Sequence, residues 1–228
     1  MNQRDAATNG SATPSPARQC LDALSLRGWL AHLSATGRVA TIAKPVALKH
    51  ELAAVAKRLD GKQAAVFLAP GGHDMPVVSG FMSRRAWIAE AMGVAEKDLL
   101  QRFRDAADHP LPWKEVPAGE AACQQVVHTS GIDLHALLPI PTHSEHDNGP
   151  YITAGLVIAR NPRTGVQNVS INRIQVHARD RMAILLLPRH LYAFQKTAEA
   201  AGDALDIAVA IGVDPLTMLA SQAISPID

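Results

Sequence analysis

The sequence is poor in the features that mark several classes of protein. It has only two cysteines, Cys20 and Cys123, and their wide separation argues against a disulfide framework or a zinc site. It has 22 basic and 21 acidic residues without a basic block, so nothing predicts a nucleic-acid partner. We find no apolar run long enough to cross a membrane. These absences fit a protein of the reducing cytoplasm.

Aromatic residues are also scarce, at 4% of the 228 residues, although the apolar fraction of 47% is sufficient for a substantial core. We therefore expect a core built mainly from aliphatic and alanine side chains. The first 18 residues are rich in Asn, Ser, Ala and Pro and lack the apolar centre of a signal peptide. The sequence thus predicts a disordered tail over residues 1–24.

Residues 26–106 alternate between the periods of helices and strands. Ser25 is placed to cap the first helix, and Gly37 and Gly61 are placed to end two of the helices. A Pro-rich stretch over residues 109–119 marks a boundary. We therefore predict an N-terminal α/β domain over residues 25–118. Its predicted helices span 26–33, 50–59, 84–92 and 97–106, and its predicted strands span 39–42, 64–68 and 75–78.

Strand periods dominate after residue 119. Two alternating runs, 154–159 and 169–176, are joined by residues 161–165, whose Pro162 and Gly165 favour a hairpin. We predict an α+β protein whose second, mostly β domain covers residues 119–228. The remaining predicted strands are 123–127 and 205–211, and the remaining predicted helices are 133–137, 194–201 and 216–220.

The second run is unusually polar for a strand. On a pleat, Asn168, Ser170 and Asn172 share one face, whereas Val169 and Arg173 lie on the other. One interpretation is simply a face exposed to water, as is common in antiparallel sheets. The other is a face that binds a ligand.

The loop over residues 142–147 is also rich in polar side chains. His143, Glu145, His146 and Asp147 could suggest a metal site, because imidazole and carboxylate groups bind divalent ions. We interpret His143, Glu145 and His146 as part of a solvated loop before the next strand. Asp147 is followed by Asn148 and Gly149, which predicts a turn.

The order of five motifs is similar to that of a known family. These motifs are DxGPYIT from Asp147, PxTG from Pro162, QNxSIxR from Gln167, PRH from Pro188 and AVAIGVDP from Ala208. Together they resemble the UbiD-type decarboxylases, which use prenylated flavin mononucleotide (FMN). The resemblance implies reversible, non-oxidative decarboxylation of an aromatic or α,β-unsaturated acid. It also implies an N-terminal α/β domain followed by an incomplete split-β-barrel domain that binds the flavin.

The resemblance also implies roles for individual residues. Asn168 and His190 match ligands of a manganese-type ion at the cofactor phosphate, whose third ligand, a glutamate, lies past Asp228 in the family. Ala220, Ser221 and Ala223 match a loop that holds potassium. Arg173 matches a catalytic arginine that pairs with glutamates from the part of the family sequence that is missing here. The residues expected to contact prenylated FMN are Asn168, Ser170, Ile171, Asn172, Arg173, Leu185, Leu186, Leu187, His190 and Leu191.

The resemblance implies further partners: a small carboxylic acid as substrate, a flavin prenyltransferase that supplies the cofactor, and a second copy of the full-length form in a homo-oligomer. It also implies that this chain is a fragment and is inactive alone. Two other interpretations stay open. The protein could be a non-catalytic flavin-binding subunit that lacks the acid, or an FMN oxidoreductase on a split barrel. A reading frame that continues into a carboxylate-containing segment would favour the decarboxylase over the subunit.

Overall fold

The computed structural model describes residues 25–223, so the predicted tail over residues 1–24 lies outside the described residues. The first helix begins where Ser25 was predicted to cap it, since the Ser25 hydroxyl accepts a hydrogen bond of 3.0 Å from the Gly28 backbone. Helices and strands then alternate, as their periods predicted. They are α1 (Leu26–Ala35), β1 (Val39–Ile42), α2 (Glu51–Leu59), β2 (Ala64–Phe67), β3 (Val77–Ser79), α3 (Arg85–Ala91) and α4 (Leu99–Asp108).

Strand β2 is the centre of a sheet in the order β1-β2-β3, parallel to β1 and antiparallel to β3. Successive side chains of a strand point to opposite faces. Ala64 packs with Trp29 and Trp87 on one face, and Ala65 packs with Leu52 on the other. Helices therefore cover both faces of this sheet. The buried hydrophobic residues are mostly aliphatic or alanine, as expected, and these two tryptophans are among the few aromatic members of the core.

Residues 109–130 form a connection that is almost entirely exposed. The predicted strand over 123–127 is wrong, because the chain there forms a 3-10 turn over Ala122–Gln124 and then no regular element. Val126 and Val127 are adjacent and both exposed, so they do not follow the alternation that would bury one face. β-branched residues favour strands mainly through packing against neighbouring strands, and in the described part of the chain no strand lies beside Val126 and Val127.

The second part of the chain contains two small antiparallel sheets, ordered β4-β7-β8 and β6-β5-β9. The hairpin predicted over residues 161–165 is confirmed, since β5 pairs with β6 across it. Asn161 is buried there, and its side-chain oxygen accepts from the backbone of Arg163 at 2.9 Å. The elements are α5 (Leu134–Leu137), β4 (Tyr151–Ile152), β5 (Leu156–Arg160), β6 (Gln167–Ile171), β7 (Ile174–Ala178), β8 (Arg181–Ile184), α6 (His190–Ala201), β9 (Ile207–Ala210) and α7 (Pro215–Ala220).

The run predicted as one strand over 169–176 is two strands in two different sheets. Strand β6 ends at Ile171, the chain crosses at Asn172 and Arg173, and β7 begins at Ile174. The break has a physical reason. In an unbroken pleat, the apolar residues Ile174 and Val176 would share a face with the polar residues of β6. The crossing lets Ile174 and Val176 enter the core without burying that polar face.

One core joins both small sheets to helix α6. Helix α6 begins at His190, one turn earlier than the predicted start at residue 194, and buries Leu191, Phe194 and Ala198 on one face. The members of this core are Ile140, Ile152, Val157, Ala159, Ile174, Val176, Leu191 and Phe194.

The two parts of the chain also contact each other directly. The backbone of Thr142 accepts a hydrogen bond from the His50 N–H at 2.8 Å and donates one to the Leu48 carbonyl at 3.1 Å. Leu216 of α7 packs against the core that contains Trp29 and Trp87. These contacts hold the second part against the first.

Candidate active site

A cleft of about 530 Å³ opens beside strand β6. Three segments form it: β6 with the crossing that follows, the loop that leads into α6, and the turn after α7. Every residue predicted for the site lines this cleft except Ala220, the last residue of α7. The lining residues are Asn168, Val169, Ser170, Ile171, Asn172, Arg173, Leu185, Leu186, Leu187, Arg189, His190, Leu191, Ser221, Gln222 and Ala223.

The polar residues of β6 and of the crossing form a hydrogen-bonded ladder along one side of the cleft. The Asn168 amide nitrogen donates to the Ser170 hydroxyl at 3.5 Å, and that hydroxyl donates to the Asn172 carbonyl oxygen at 2.9 Å. The Asn172 amide nitrogen reaches the backbone carbonyl of Leu185 at 3.5 Å. The predicted shared face of these three residues is confirmed, and the ladder ties β6 to the loop before α6.

The cleft also has an apolar side. Ile171, Leu185 and Leu187 are all exposed, although each is a large hydrophobic side chain. Leu191, in contrast, is buried in the core beneath the cleft. Apolar side chains grouped around a concave surface are typical of a site that binds a small molecule. This side complements the polar ladder.

Arg189 adds a positive charge to the lining of the cleft, where helix α6 begins. Arg189 is the N-cap residue of α6 and His190 is its first residue. The start of a helix presents unpaired backbone N–H groups and the positive end of the helix dipole, which together favour a phosphate. Arg189 was not predicted as a site residue. Its position directly before an apolar helical period is the signal that could have found it.

Arg173 lies in the crossing between β6 and β7. Its guanidinium forms an ion pair with the Asp147 carboxylate, and its Cζ lies 4.1 Å from the centre of the Tyr151 ring. Burial of the Asp147 carboxyl opposes its ionisation, but the Ser144 backbone N–H and the Arg173 charge outweigh this and hold the pKa of Asp147 below its ordinary value. The sequence predicted only a turn at Asp147. The structure makes it the partner of Arg173.

The rest of the polar loop stands apart from the cleft. Glu145 and His146 are exposed and lie 3.6 Å from each other. His143 is half-buried, and burial lowers its pKa, with Asp147 opposing this effect and Arg173 adding to it. Within residues 25–223, no three His, Cys, Asp or Glu side chains are grouped so as to hold a metal ion.

Two comparisons of sequence decide the family. Residues 30–107 match the N-terminal domain of 3-octaprenyl-4-hydroxybenzoate carboxy-lyase, and residues 114–228 match the Rift-related domain of the same enzyme. The chain belongs to the UbiD family. Among curated UbiD-family relatives, it is 41% identical over 155 residues to anhydromevalonate phosphate decarboxylase of Methanothermobacter thermautotrophicus, covering 68% of this chain and 35% of the relative.

Solved structures of UbiD-class enzymes share its fold. An evolved dimeric form of HmfF from Pelotomaculum thermopropionicum, in complex with prFMN, superposes with a TM-score of 0.88 at 44% identity, covering 90% of this chain and 48% of HmfF. A 3,4-dihydroxybenzoic acid decarboxylase from Enterobacter cloacae gives a TM-score of 0.79 at 30% identity, covering 84% of this chain and 43% of that enzyme. This UbiD-family chain therefore spans less than half the length of these relatives. In the part that the structure describes, no helix is long and apolar enough to cross a membrane.

The donor groups of this UbiD-family chain fit the two implied metal ions unequally. Asn168 contacts Ser170 through its amide nitrogen, so its carbonyl oxygen is of the kind that a divalent ion prefers, and His190 lines the same cleft. Ser221 and Ala223 also line the cleft, but the Ser221 hydroxyl donates to the Met218 carbonyl at 2.7 Å. Its oxygen would have to serve a potassium ion while holding that bond.

Proposed function

We propose that residues 119–228 form the start of a split β-barrel that binds prenylated FMN, and that residues 25–118 form the N-terminal α/β domain of the same protein. Two antiparallel three-stranded sheets around one core support the barrel assignment. The first family match ends at residue 107 and the second begins at residue 114, which supports a boundary near the start of the exposed connection over residues 109–130, a few residues before the proposed one. The tail over residues 1–24 stays a prediction.

We propose further that the protein carrying this chain is a carboxy-lyase that reversibly decarboxylates an aromatic or α,β-unsaturated acid. The observation that supports this most strongly is the composition of the cleft. A polar ladder, a group of exposed apolar side chains, a cationic helix start and Arg173 line it, each suited to a different part of a flavin nucleotide or its acid substrate. The similarity to named decarboxylases favours this class over an FMN oxidoreductase.

Each side of the cleft then has a distinct task. Asn168 and His190 would hold a manganese-type ion, and Arg189 with the first N–H groups of α6 would bind the phosphate. Ile171 and the leucines at 185–187 would cover the ring and exclude water from it. Ala220, Ser221 and Ala223 would hold potassium through carbonyl and hydroxyl oxygens. Prenylated FMN, when bound, would supply the electron-accepting chemistry that the loss of carbon dioxide requires.

Arg173 is the catalytic residue that this chain would contribute. A fixed guanidinium orients a carboxylate through charge-assisted hydrogen bonds and tunes the acid that protonates the product. Among the described residues that line the cleft, none is Asp or Glu. In line with the resemblance to the family, we propose that the proton donor is a glutamate outside residues 25–223.

The described lining fits equally well a second candidate, a flavin-binding subunit that lacks its own acid. In either case we propose a cytoplasmic protein, which the scarcity of cysteine in the sequence supports. We also propose a homo-oligomer for the full-length form, as in the dimeric relative, and a flavin prenyltransferase as the source of the cofactor.

The test compares residues 1–228 with the product of the complete reading frame that encodes them. Both are supplied with prenylated FMN, Mn²⁺ and K⁺, and flavin binding and carbon dioxide release are measured over a panel of aromatic and cinnamic-type acids. Turnover by the complete product supports the decarboxylase. Flavin binding without turnover supports the subunit. Failure of the complete product to bind flavin would overturn both.

A further inference from the structure

The guanidinium of Arg173 is held on two sides by Asp147 and Tyr151, two residues of the DxGPYIT motif that were given no role in the site. The Asp147 carboxylate pairs with one terminal nitrogen, and the Tyr151 ring lies under the guanidinium at 4.1 Å. The Asp147 side chain is only 12% exposed, whereas that of Arg173 is 53% exposed. The anchor is therefore largely shielded from water, and the group it holds reaches the cleft.

Both anchors are themselves fixed by the backbone. Asp147 closes a turn in which its second oxygen accepts from the Ser144 N–H at 3.0 Å, and its own N–H donates to the Ser144 carbonyl at 3.1 Å. Tyr151 pairs in register with Gln175 of β7, and the Gln175 side chain donates to the carbonyl of Asn148. The turn is thus tied to the strand that begins directly after Arg173, so backbone pairing sets the distance between the anchors and the guanidinium.

This arrangement differs from an ordinary surface ion pair. Asp133 and Arg179 are also paired, at 3.0 Å, but the Arg179 side chain is 72% exposed and forms no cation–π contact among those found in residues 25–223. Exposed pairs of that kind fix a side chain weakly, because water and salt screen the attraction. Arg173 combines a shielded carboxylate with an aromatic face, and each restricts a different motion of its planar group.

We infer that Asp147 and Tyr151 are positioning residues that hold the Arg173 guanidinium in place before any ligand enters the cleft. The inference rests on the proposed function in one respect, namely why Arg173 is held in place. In that function, the placement presents Arg173 to a carboxylate in the cleft. A guanidinium has five N–H donors, so the pair with Asp147 leaves donors for a carboxylate in the cleft. Orientation is set in advance and costs no entropy when the ligand binds.

The first arm of the test needs no cofactor. The Nε–Hε signal of Arg173 is assigned in residues 1–228 by its loss in Arg173→Lys, and the rotation of the guanidinium is measured by nitrogen-15 exchange. We expect Asp147→Asn to shift the signal and to speed the rotation by about tenfold, because the charge is lost while the Ser144 contact can persist. Asp133→Asn, the matched control, should leave Arg173 unchanged. An Arg173 signal indifferent to Asp147→Asn would overturn the inference.

Tyr151 is tested by a pair of substitutions. Tyr151→Phe retains the ring and should retain the Arg173 signal, whereas Tyr151→Leu removes the aromatic face and should shift it. The same shift in both variants would show that the hydroxyl and not the ring acts on Arg173, against the proposed geometry.

The second arm uses the product of the complete reading frame loaded with prenylated FMN. For Asp147→Asn we expect kcat to fall about 10- to 100-fold, as when a reacting group is misplaced by roughly 1 Å, with flavin affinity within about twofold of the parent. An unchanged kcat in an active enzyme would overturn the positioning role. An inactive parent would instead overturn the proposed function, and the first arm would still decide whether the anchors hold Arg173.

Discussion

Ile171 and Ile174 lie three residues apart, yet they belong to different sheets and meet different surroundings. Ile171 ends β6 and is 39% exposed beside the cleft, whereas Ile174 begins β7 and is fully buried in the core. The chain therefore passes from site to core within one short crossing. Substitutions at these two isoleucines can therefore be compared to separate effects on the stability of the fold from effects on ligand binding.

Ile174→Ala should lower the free energy of unfolding by about 2–5 kcal/mol, because it removes buried methyl groups and leaves a cavity. Ile171→Ala should change it by less than about 1 kcal/mol, because that side chain already contacts water. Urea denaturation of both variants measures the difference. Equal losses would mean that Ile171 is covered in solution.

Gly155 offers a second test of the core. A Cβ built there would lie 3.0 Å from Val209 Cγ1 and 3.1 Å from Ile152 Cγ2, so Gly155→Ala should destabilise the fold by about 1–3 kcal/mol through overpacking. Gly119→Ala is the control, since its Cβ would meet nothing within 4 Å. An equal change in melting temperature for both variants would show that the side chains around Gly155 can shift to accommodate a Cβ.

The pair of Arg38 and Glu90 makes stability depend on pH. Hydrogen bonds from Arg38 lower the pKa of Glu90 from 4.5 to about 2. A depressed carboxyl pKa stabilises the fold above the unfolded value, and this stabilisation is lost as pH falls from about 4.5 towards 2. Because the Glu90 side chain is 38% exposed, Glu90→Gln should cost only about 1 kcal/mol at pH 7. The cost should shrink in urea titrations at pH 3.5, while Glu96→Gln should be neutral at both pH values.

Asn168→Ala should weaken Mn²⁺ binding and cofactor retention in the complete protein by at least about 10-fold, since loss of a direct ligand exceeds the 10–100-fold typical of outer-shell changes. Metal content and flavin absorbance of the purified variant measure this effect. Gln167→Ala, on the neighbouring position of β6 and outside the cleft lining, is the control. Unchanged metal content in Asn168→Ala would remove Asn168 from the proposed ligands.

Residues 1–228 alone should release no carbon dioxide from acids that the complete protein accepts. Asp147 already pairs with Arg173, and the described cleft lining contains no carboxyl group to donate the proton. The assay supplies prenylated FMN, Mn²⁺ and K⁺. Turnover above the control without protein would place the acid within this chain.

Local signals in the sequence predicted much of the fold. Helix α1 begins directly after its predicted cap, Ser25, whose hydroxyl accepts a hydrogen bond from the Gly28 N–H. Strand β1 was predicted at its observed bounds, Val39–Ile42. The break between β6 and β7 was missed because the residues were interpreted as one alternating run. The shift of the apolar positions from Val169 to Ile174 was nevertheless visible in the sequence.

The residues of the site were predicted from motifs that resemble those of a family. The geometry of the site could not have been predicted from the sequence. Asp147 and Arg173 are 26 residues apart, and only the pairing of β4 with β7 brings them together. A contact of that kind depends on which strands pair, and β4 and β7 are separated by two other strands, so no hairpin turn between them fixes their register. Arg189 was missed for a different reason, since the helix it caps was predicted to begin one turn too late.

The exposed connection over residues 109–130 has a mechanical consequence. Because its side chains are almost all exposed and pack against little, the connection does not rigidly fix the angle between the two parts of the chain. That angle is set by the Thr142 backbone pairing and by Leu216 against the tryptophan core. The connection acts instead as a tether, which raises the effective concentration of one surface near the other. Its length can therefore change with little effect on the angle, whereas a change at either surface alters how the two parts meet.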